Sequence, residues 1–338
     1  MKASAQSLHP HDLNWGFVGT GNIANWMAQV VQGTPGAQLA AVASRNAATA
    51  AAFATRHRVP KAFDSWAGML AWEGIDAVYV ATPTALREEI CVAAAHAGKH
   101  VLAEKPFASL PSLLRITAAA RTHNVAFMDA THFVHHPRTR AIHAQVNETT
   151  GPPHALDSSF LVSLGNRDDI RYSPDLEPLG ALGDLGWYNM RATLEYLAPA
   201  SNLRSVSARV RRDPRTEAII GGIGALTFED SRESAWRCSF EADAPVIELR
   251  LCGSLGQIVM DNFVGEEPDR SASYRYARAT TGDTAETRVN VASGFSGPSL
   301  MFQAFAAAVA DHALRDHWSM ASERTQALLD AVCMAAES

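Results

Sequence analysis

The scarcities in this sequence narrow it first. Its 338 residues include only four cysteines, Cys91, Cys238, Cys252 and Cys333, scattered with no CxxC spacing. A zinc ribbon and a disulfide framework are therefore not expected. Each cysteine reads instead as a small buried apolar residue. No apolar run reaches the length of a membrane span, so no membrane partner is expected. Positive charge is not in excess: 29 Lys and Arg stand against 35 Asp and Glu, for a net charge of -6. Nucleic-acid binding, which goes with a basic domain or stripe, is not expected either. The polar segment Met1–Asn14 lacks the basic-then-apolar pattern of a secretory signal. It reads as a mobile tail on a cytoplasmic protein. The adjacent His135 and His136 would point to opposite faces of an extended chain, so no metal site is expected.

The length suggests two domains, and a 47% hydrophobic composition supplies a large core. The expected division is a tail over 1–13, a dinucleotide-binding domain over 14–131 and a substrate-binding and dimerisation domain over 132–338. Trp15–Val18 reads as a buried strand. It runs directly into Gly19, Thr20, Gly21, Asn22, Ile23 and Ala24, which open a helical pattern. This is G-x-G-x-x-A between a strand and a helix. The first glycine permits the tight turn, the second admits a pyrophosphate, and Ala24 lets helix and strand pack closely. The helix N-terminus offers free N–H groups to phosphate.

The second strand ends at Ser44-Arg45-Asn46. An NAD-selective site usually has an acidic residue there for the ribose 2′-hydroxyl. Arg45 suits a 2′-phosphate instead, so NADP is expected over NAD, with NAD still possible. Against that stands an Arg45 that stacks on adenine or faces water. Ile75–Ala81 is a further apolar strand, broken at Thr82-Pro83-Thr84, a loop expected over the nicotinamide side of the cleft. Val101-Leu102-Ala103 is another strand, and it ends in Glu104-Lys105-Pro106. A lysine there stands at the edge of the cleft where open α/β sheets bind ligands. Alone it would read as a solvated loop residue. The Lys105–Pro106 bond is a candidate for the cis form. Strands alternating with helices imply a parallel, doubly wound sheet.

The second half begins near Gly151-Pro152-Pro153. Leu179–Asp184 reads as a glycine-rich turn opening a helix to about Leu197. Asp184 and Tyr188 are four apart and share a helix face. Tyr188 can pass a proton to or from a substrate oxygen, and a nearby Lys105 would lower its pKa. The alternative is a ring packed in the core. Strands are expected over Ser205–Val210, Ile219–Phe228, Ser234–Glu241, Val246–Cys252 and Gly256–Met260, in antiparallel hairpins. One face of that sheet is expected to pair with a second subunit as a homodimer. Helices are expected over Ser299–Leu314 and Ser322–Ala336, returning to the first domain. The polar segment Gly165–Pro178, with Arg167, Asp169 and Arg171, is either a substrate-recognition loop or a solvated connection. His132 and His135 follow the last strand of the first half, near the cleft.

These motifs together resemble the glucose-fructose oxidoreductase / inositol dehydrogenase (Gfo/Idh/MocA) family, in the branch that holds dimeric dihydrodiol dehydrogenase and NADP-dependent xylose dehydrogenases. The carriers are the Gly19–Ala24 turn, Ala81–Thr84, Ala95–Val101, Glu104-Lys105-Pro106 and Gly180–Tyr188. The resemblance implies an α/β protein, with an N-terminal Rossmann domain and a C-terminal α+β domain built on a large, open-faced, mainly antiparallel sheet. It implies hydride transfer between NADP and an alcohol or carbonyl of a small, carbohydrate-like substrate. Tyr188 then takes the general acid/base role, Lys105 is the motif lysine, and Asp184 orients the substrate. Cofactor contacts are expected from Gly19–Ile23, Ser44, Arg45, Thr82–Thr84, Glu104 and Lys105. A non-catalytic NADP-binding sensor of the same fold is the rival reading.

Overall fold

The computed structural model describes residues 12–278 and 286–337. The expected tail lies mostly outside these residues. Leu13 and Asn14, however, are strand rather than tail: Leu13 is buried and pairs with Ala37.

The first half runs β1 (Leu13–Val18), α1 (Asn22–Gln32), β2 (Ala37–Ala43), α2 (Ala47–His57), β3 (Lys61–Phe63) and α3 (Trp66–Leu70). It continues with β4 (Ala77–Val80), α4 (Thr84–His96), β5 (His100–Ala103), α5 (Leu110–Thr122) and β6 (Phe127–Asp129). All five strand pairs are parallel, in the order β3-β2-β1-β4-β5-β6. The order reverses about β1, which opens a crevice beyond the carboxyl ends of β1 and β4. The central strands are buried on both faces, as their near-continuous apolar runs require. Local signals fix several helix starts: Asn46 caps α2, Ser65 caps α3 and Ser109 caps α5 with their side chains.

A 3₁₀ turn (His132–His135) and α6 (Pro137–Thr149) lead to the second sheet. Its strands are β7 (Pro153–Leu161), β8 (Leu203–Arg212), β9 (Ile219–Phe228), β10 (Glu233–Ser239), β11 (Val246–Gly253), β12 (Gly256–Met260), β13 (Ala272–Arg278) and β14 (Glu286–Val291). The order is β14-β13-β12-β11-β7-β10-β9-β8. Every pair is antiparallel except β7 with β10. That exception follows from the path: after β7 the chain leaves the sheet and re-enters at the far edge as β8. Two hairpins then bring β10 back beside β7 in the same direction.

Two expected helices differ. The helix after the glycine-rich turn is not one regular α-helix. It is a π-helical turn (Leu182–Gly186), a short α7 (Trp187–Ala192) and a second π-helical turn (Thr193–Leu197). A Cβ added to Gly183 would lie 2.8 Å from Pro106 Cγ, so glycine there lets this turn press onto the Glu-Lys-Pro loop. At the C-terminus, the expected Ser299–Leu314 helix stops early. α8 spans Gly297–Ala310, Asp311 is extended, and α9 spans His312–Glu337. Asp311 Oδ1 accepts the N–H groups of Ala313 and Leu314, so this residue starts a helix rather than continuing one. α8 packs on the parallel sheet, with Trp15 of β1 4.9 Å from Phe302 and 5.1 Å from Phe305.

Candidate active site

The site is assembled from two halves of the chain. Beyond β1, Gly19 has φ +113, and a Cβ there would lie 2.7 Å from the Ala81 carbonyl oxygen. Only glycine takes this turn without strain. Gly21 precedes α1 and has no side-chain cap, and a Cβ on it would meet nothing within 4 Å. With no side chain capping α1, its first N–H groups remain available to a bound phosphate. Asn25 Nδ2 braces the turn by donating to the Thr20 and Gly21 carbonyls. Asn22 is exposed beside it.

The cleft in front of this turn has a volume of about 230 Å³. Ile23, Ala81, Thr82, Glu104, Lys105 and Ala130 line it from the first domain. Phe160, Ile170, Arg171, Asp184, Leu185 and Tyr188 line it from the second. Thr82 Oγ1 is buried in this wall with no hydrogen-bond partner among the described residues, a polar atom that a ligand would satisfy. The turn and the unpartnered Thr82 hydroxyl both fit a dinucleotide with its nicotinamide in the cleft.

The Lys105–Pro106 peptide is cis. Lys105 Nζ donates to Asp184 Oδ1 at 2.6 Å and to the Asp184 carbonyl at 2.8 Å. An ammonium has three N–H groups, so one remains for a ligand. Arg171 Nε donates to the other Asp184 oxygen at 2.6 Å. Burial alone would raise the Asp184 pKa, but the Lys105 and Arg171 charges pull it well below the carboxylate range. Arg171 thus makes the polar loop part of the site.

Tyr188 differs from the expectation in one respect. Burial, then the Glu104, Asp184 and Asp129 carboxylates, raise its pKa well above the ordinary value rather than lowering it. The Lys105 charge is already balanced by Asp184, and it meets the Tyr188 ring face, 4.8 Å from the centroid. The phenol is therefore held neutral. Its hydroxyl has no hydrogen-bond partner among the described residues. Glu104 does not touch Lys105 by a hydrogen bond; it accepts from Tyr79 OH at 2.5 Å, and burial raises its pKa.

The other expected cofactor residues fall in different places. Ser44 Oγ pairs with Thr49 Oγ1 at 2.7 Å, and Arg45 beside it is exposed at the end of β2. Pro83 caps α4. The Thr84 side chain is already engaged: its N–H and Oγ1 both donate to Glu177, at 3.0 and 2.5 Å. His132 lines the cleft, and burial, then Lys105, lowers its pKa to about 4. His135 instead packs on Trp318, 4.6 Å away.

Among the cleft residues that escaped the sequence reading are Arg87 and Glu177. Arg87 is buried and donates to Thr84 Oγ1 and to the Pro106 carbonyl. Its signal was present: Thr84, Arg87, Cys91 and Ala94 fall at helical spacing on the buried face of α4. Glu177 had no such signal, because its partners are 93 residues away.

Over residues 13–131 the chain matches the Gfo/Idh/MocA model, an oxidoreductase family with an NAD-binding Rossmann fold. A dTDP-3,4-didehydro-2,6-dideoxy-alpha-D-glucose 3-reductase of Actinomadura kijaniata is 31% identical over 322 residues, 94% of this chain and 93% of the relative. The chain belongs to the Gfo/Idh/MocA oxidoreductase family. Family membership makes it an enzyme, a nicotinamide-dependent dehydrogenase or reductase, as the motifs implied. A second relative in the family is D-xylose 1-dehydrogenase (NADP(+)) 2 of Haloferax volcanii, 29% identical over 71% of this chain and 73% of that one. The fold agrees as well. A crystal structure of a 3-ketoreductase from Actinomadura kijaniata, in complex with NADP and TDP-benzene, superimposes with a TM-score of 0.86 at 27% identity. The match covers 96% of this chain and 98% of that one.

Proposed function

We propose that this chain is an NADP-dependent oxidoreductase that interconverts an alcohol and a carbonyl on a sugar or similar polyhydroxylated ring. One observation carries the reading. Lys105 from the parallel sheet and Asp184 and Tyr188 from the second domain converge in a single cleft beside the dinucleotide turn.

When bound, the nicotinamide supplies hydride chemistry at the reacting carbon. Gly19–Ile23 hold the pyrophosphate, Ser44 and Arg45 the adenosine 2′-phosphate, and Thr82 the nicotinamide end. The remaining Lys105 N–H hydrogen-bonds the reacting oxygen. Asp184 fixes that ammonium by two contacts, and Arg171 fixes Asp184 in turn. Tyr188, held as a neutral phenol, donates its proton to a carbonyl oxygen as that oxygen gains charge. Donation leaves a tyrosinate, and in the reverse direction it is that phenolate oxygen, not the neutral phenol, that takes the proton from the alcohol. Phe160 and Leu185 narrow the cleft and exclude water. Steady-state assays with NADP+ and NADPH against a panel of aldoses and cyclitols test the reading. No change in nicotinamide absorbance with any of them would sink it.

The open face of the second sheet, where Ile223 stands 59% exposed, is assigned to a homodimer. A monomer by light scattering at micromolar concentration would count against that. The four cysteines are free thiols, in keeping with a reducing cytoplasm. No helix among the described residues is long and apolar enough to cross a membrane.

A further inference from the structure

A second cavity, also of about 230 Å³, lies on the far side of His132. Trp26 and His132 line both this cavity and the catalytic cleft, so the two spaces adjoin across one pair of rings. The rings stand edge to face with centroids 6.0 Å apart. Phe133, Val264, Glu266 and Pro298 complete much of the wall.

The chemistry of this wall is specific. Trp26 is 46% exposed, although tryptophan usually hides most of its surface. It offers a flat apolar face at the junction of the two spaces. Glu266 Oε2 accepts the Gly297 N–H at 2.8 Å, and Oε1 has no hydrogen-bond partner among the described residues. An aromatic face beside a free carboxylate oxygen suits a sugar ring, which has C–H faces and a rim of hydroxyl donors. The cation in the wall has both terminal nitrogens taken, and only its buried Nε lacks a partner among the described residues. Arg138 turns its two terminal nitrogens to the carbonyls of Asn262 and Phe263, at 2.7 and 2.5 Å. His136 is equally committed, to Arg270 O and Arg138 N at 3.1 and 3.0 Å. An anionic group would meet the Glu266 carboxylate while both terminal nitrogens of Arg138 are already engaged, so the cavity favours a neutral one.

We propose that this cavity is the subsite for a second, non-reacting ring, and that the preferred substrate is an uncharged disaccharide or related glycoside. This rests on the proposed oxidoreductase function. The reacting ring lies beside Tyr188 and Lys105. The second ring passes His132, stacks on Trp26 and donates a hydroxyl to Glu266 Oε1.

The test compares kcat/KM for glucose, xylose and galactose with that for maltose, cellobiose and lactose, using NADP-loaded enzyme. Glu266→Gln removes the charge but keeps an acceptor for the Gly297 N–H. Val264→Phe fills the cavity from its other wall. Each is expected to cut kcat/KM for the best disaccharide by about tenfold, mostly through KM, the first by losing a hydrogen bond to a charged acceptor and the second by taking the space of the second ring. Monosaccharide turnover should stay within about twofold, because neither side chain lines the catalytic cleft. Equal losses on both substrate types, or no loss on disaccharides, would overturn the subsite and leave the dehydrogenase reading standing. If no sugar is turned over, the functional reading fails first. Calorimetry with maltose and cellobiose on the NADPH-loaded protein then decides the subsite separately, and absence of binding overturns it.

Discussion

Lys105 and Asp184 lie 79 residues apart, yet the lysine ammonium touches both the carboxylate and the backbone carbonyl of the aspartate. The contact ties the end of β5 to the π-helical turn that carries Tyr188 four residues on. It fixes the position of the ammonium, balances its charge and leaves one N–H toward the cleft.

Removing either proton-handling group should therefore affect the chemical step. Lys105→Ala and Tyr188→Phe are each expected to lower kcat by about 10²- to 10⁴-fold, the usual contribution of a positioned acid or base. NADP binding, measured by fluorescence titration, should survive Tyr188→Phe. Near-normal turnover in both variants would refute the assignment.

Cofactor choice rests on Arg45. It is exposed at the end of β2, with no ion pair among the described residues, so its guanidinium is available to a 2′-phosphate. Arg45→Ala should weaken NADP+ binding by about tenfold or more and leave NAD+ almost unchanged, since a charge-assisted pair is lost only with the former. Equal affinity for NADP+ before and after the change would remove Arg45 from the site.

Glu177 fastens the polar loop to the first domain. It accepts the N–H and hydroxyl of Thr84, and the Leu176 carbonyl accepts the next N–H, of Ala85. These satisfy the first free donors of α4 from another domain. Glu177→Ala leaves buried donors unpaired and should cost about 1–3 kcal/mol of stability. Because the same loop carries Arg171, KM for the substrate should rise as well. A melting curve and a Michaelis plot check the two effects, and Glu177→Gln should restore part of both.

Much of this was legible in the chain. The β1-turn-α1 unit, the strand ending at Lys105 and the spacing of Asp184 and Tyr188 are local patterns, and local periodicity carries them. The parallel β7–β10 pair was not, because hairpin spacing says nothing about an earlier strand inserted between hairpins. β13 and β14 were also missed, although Ala272-Ser273-Tyr274-Arg275-Tyr276 alternates apolar and polar residues; only Ala272 and Tyr274 of the two strands are buried. The upward direction of the Tyr188 pKa shift could not be read either. The upward shift of its pKa comes from burial first and then from three carboxylates, of which Glu104 and Asp129 are remote from it in sequence.

Asp129 and Arg191 form a buried pair that joins β6 to α7, both almost fully enclosed. Ser322 of α9 and Thr131 also donate to the Asp129 carboxylate. Asp129→Ala would leave the guanidinium buried and unpaired, at a cost of about 3–5 kcal/mol. Chemical denaturation should show a lower midpoint with a similar slope. An unchanged midpoint would mean that the pair contributes nothing net.

Acid should unfold this protein well above the carboxylate range. Burial lowers the pKa of His100 and His132 to about 4 and that of His135 to about 3. Besides burial and the Arg315 charge, the His100 ring has a contact that needs it neutral: its Nδ1 accepts the Ala126 N–H at 2.9 Å, which a protonated ring cannot do. In the unfolded chain these rings protonate near pH 6.5. Between that value and about 4, the unfolded state binds more protons than the folded one. Stability therefore falls as pH falls through this window, by up to about 1.4 kcal/mol per pH unit for each ring that stays neutral. Melting temperature should drop steadily from pH 7 to pH 4.5. His100→Asn, whose side-chain oxygen can accept the Ala126 N–H without titrating, should flatten that slope. A slope unaltered by the substitution would show that His100 protonates equally in both states.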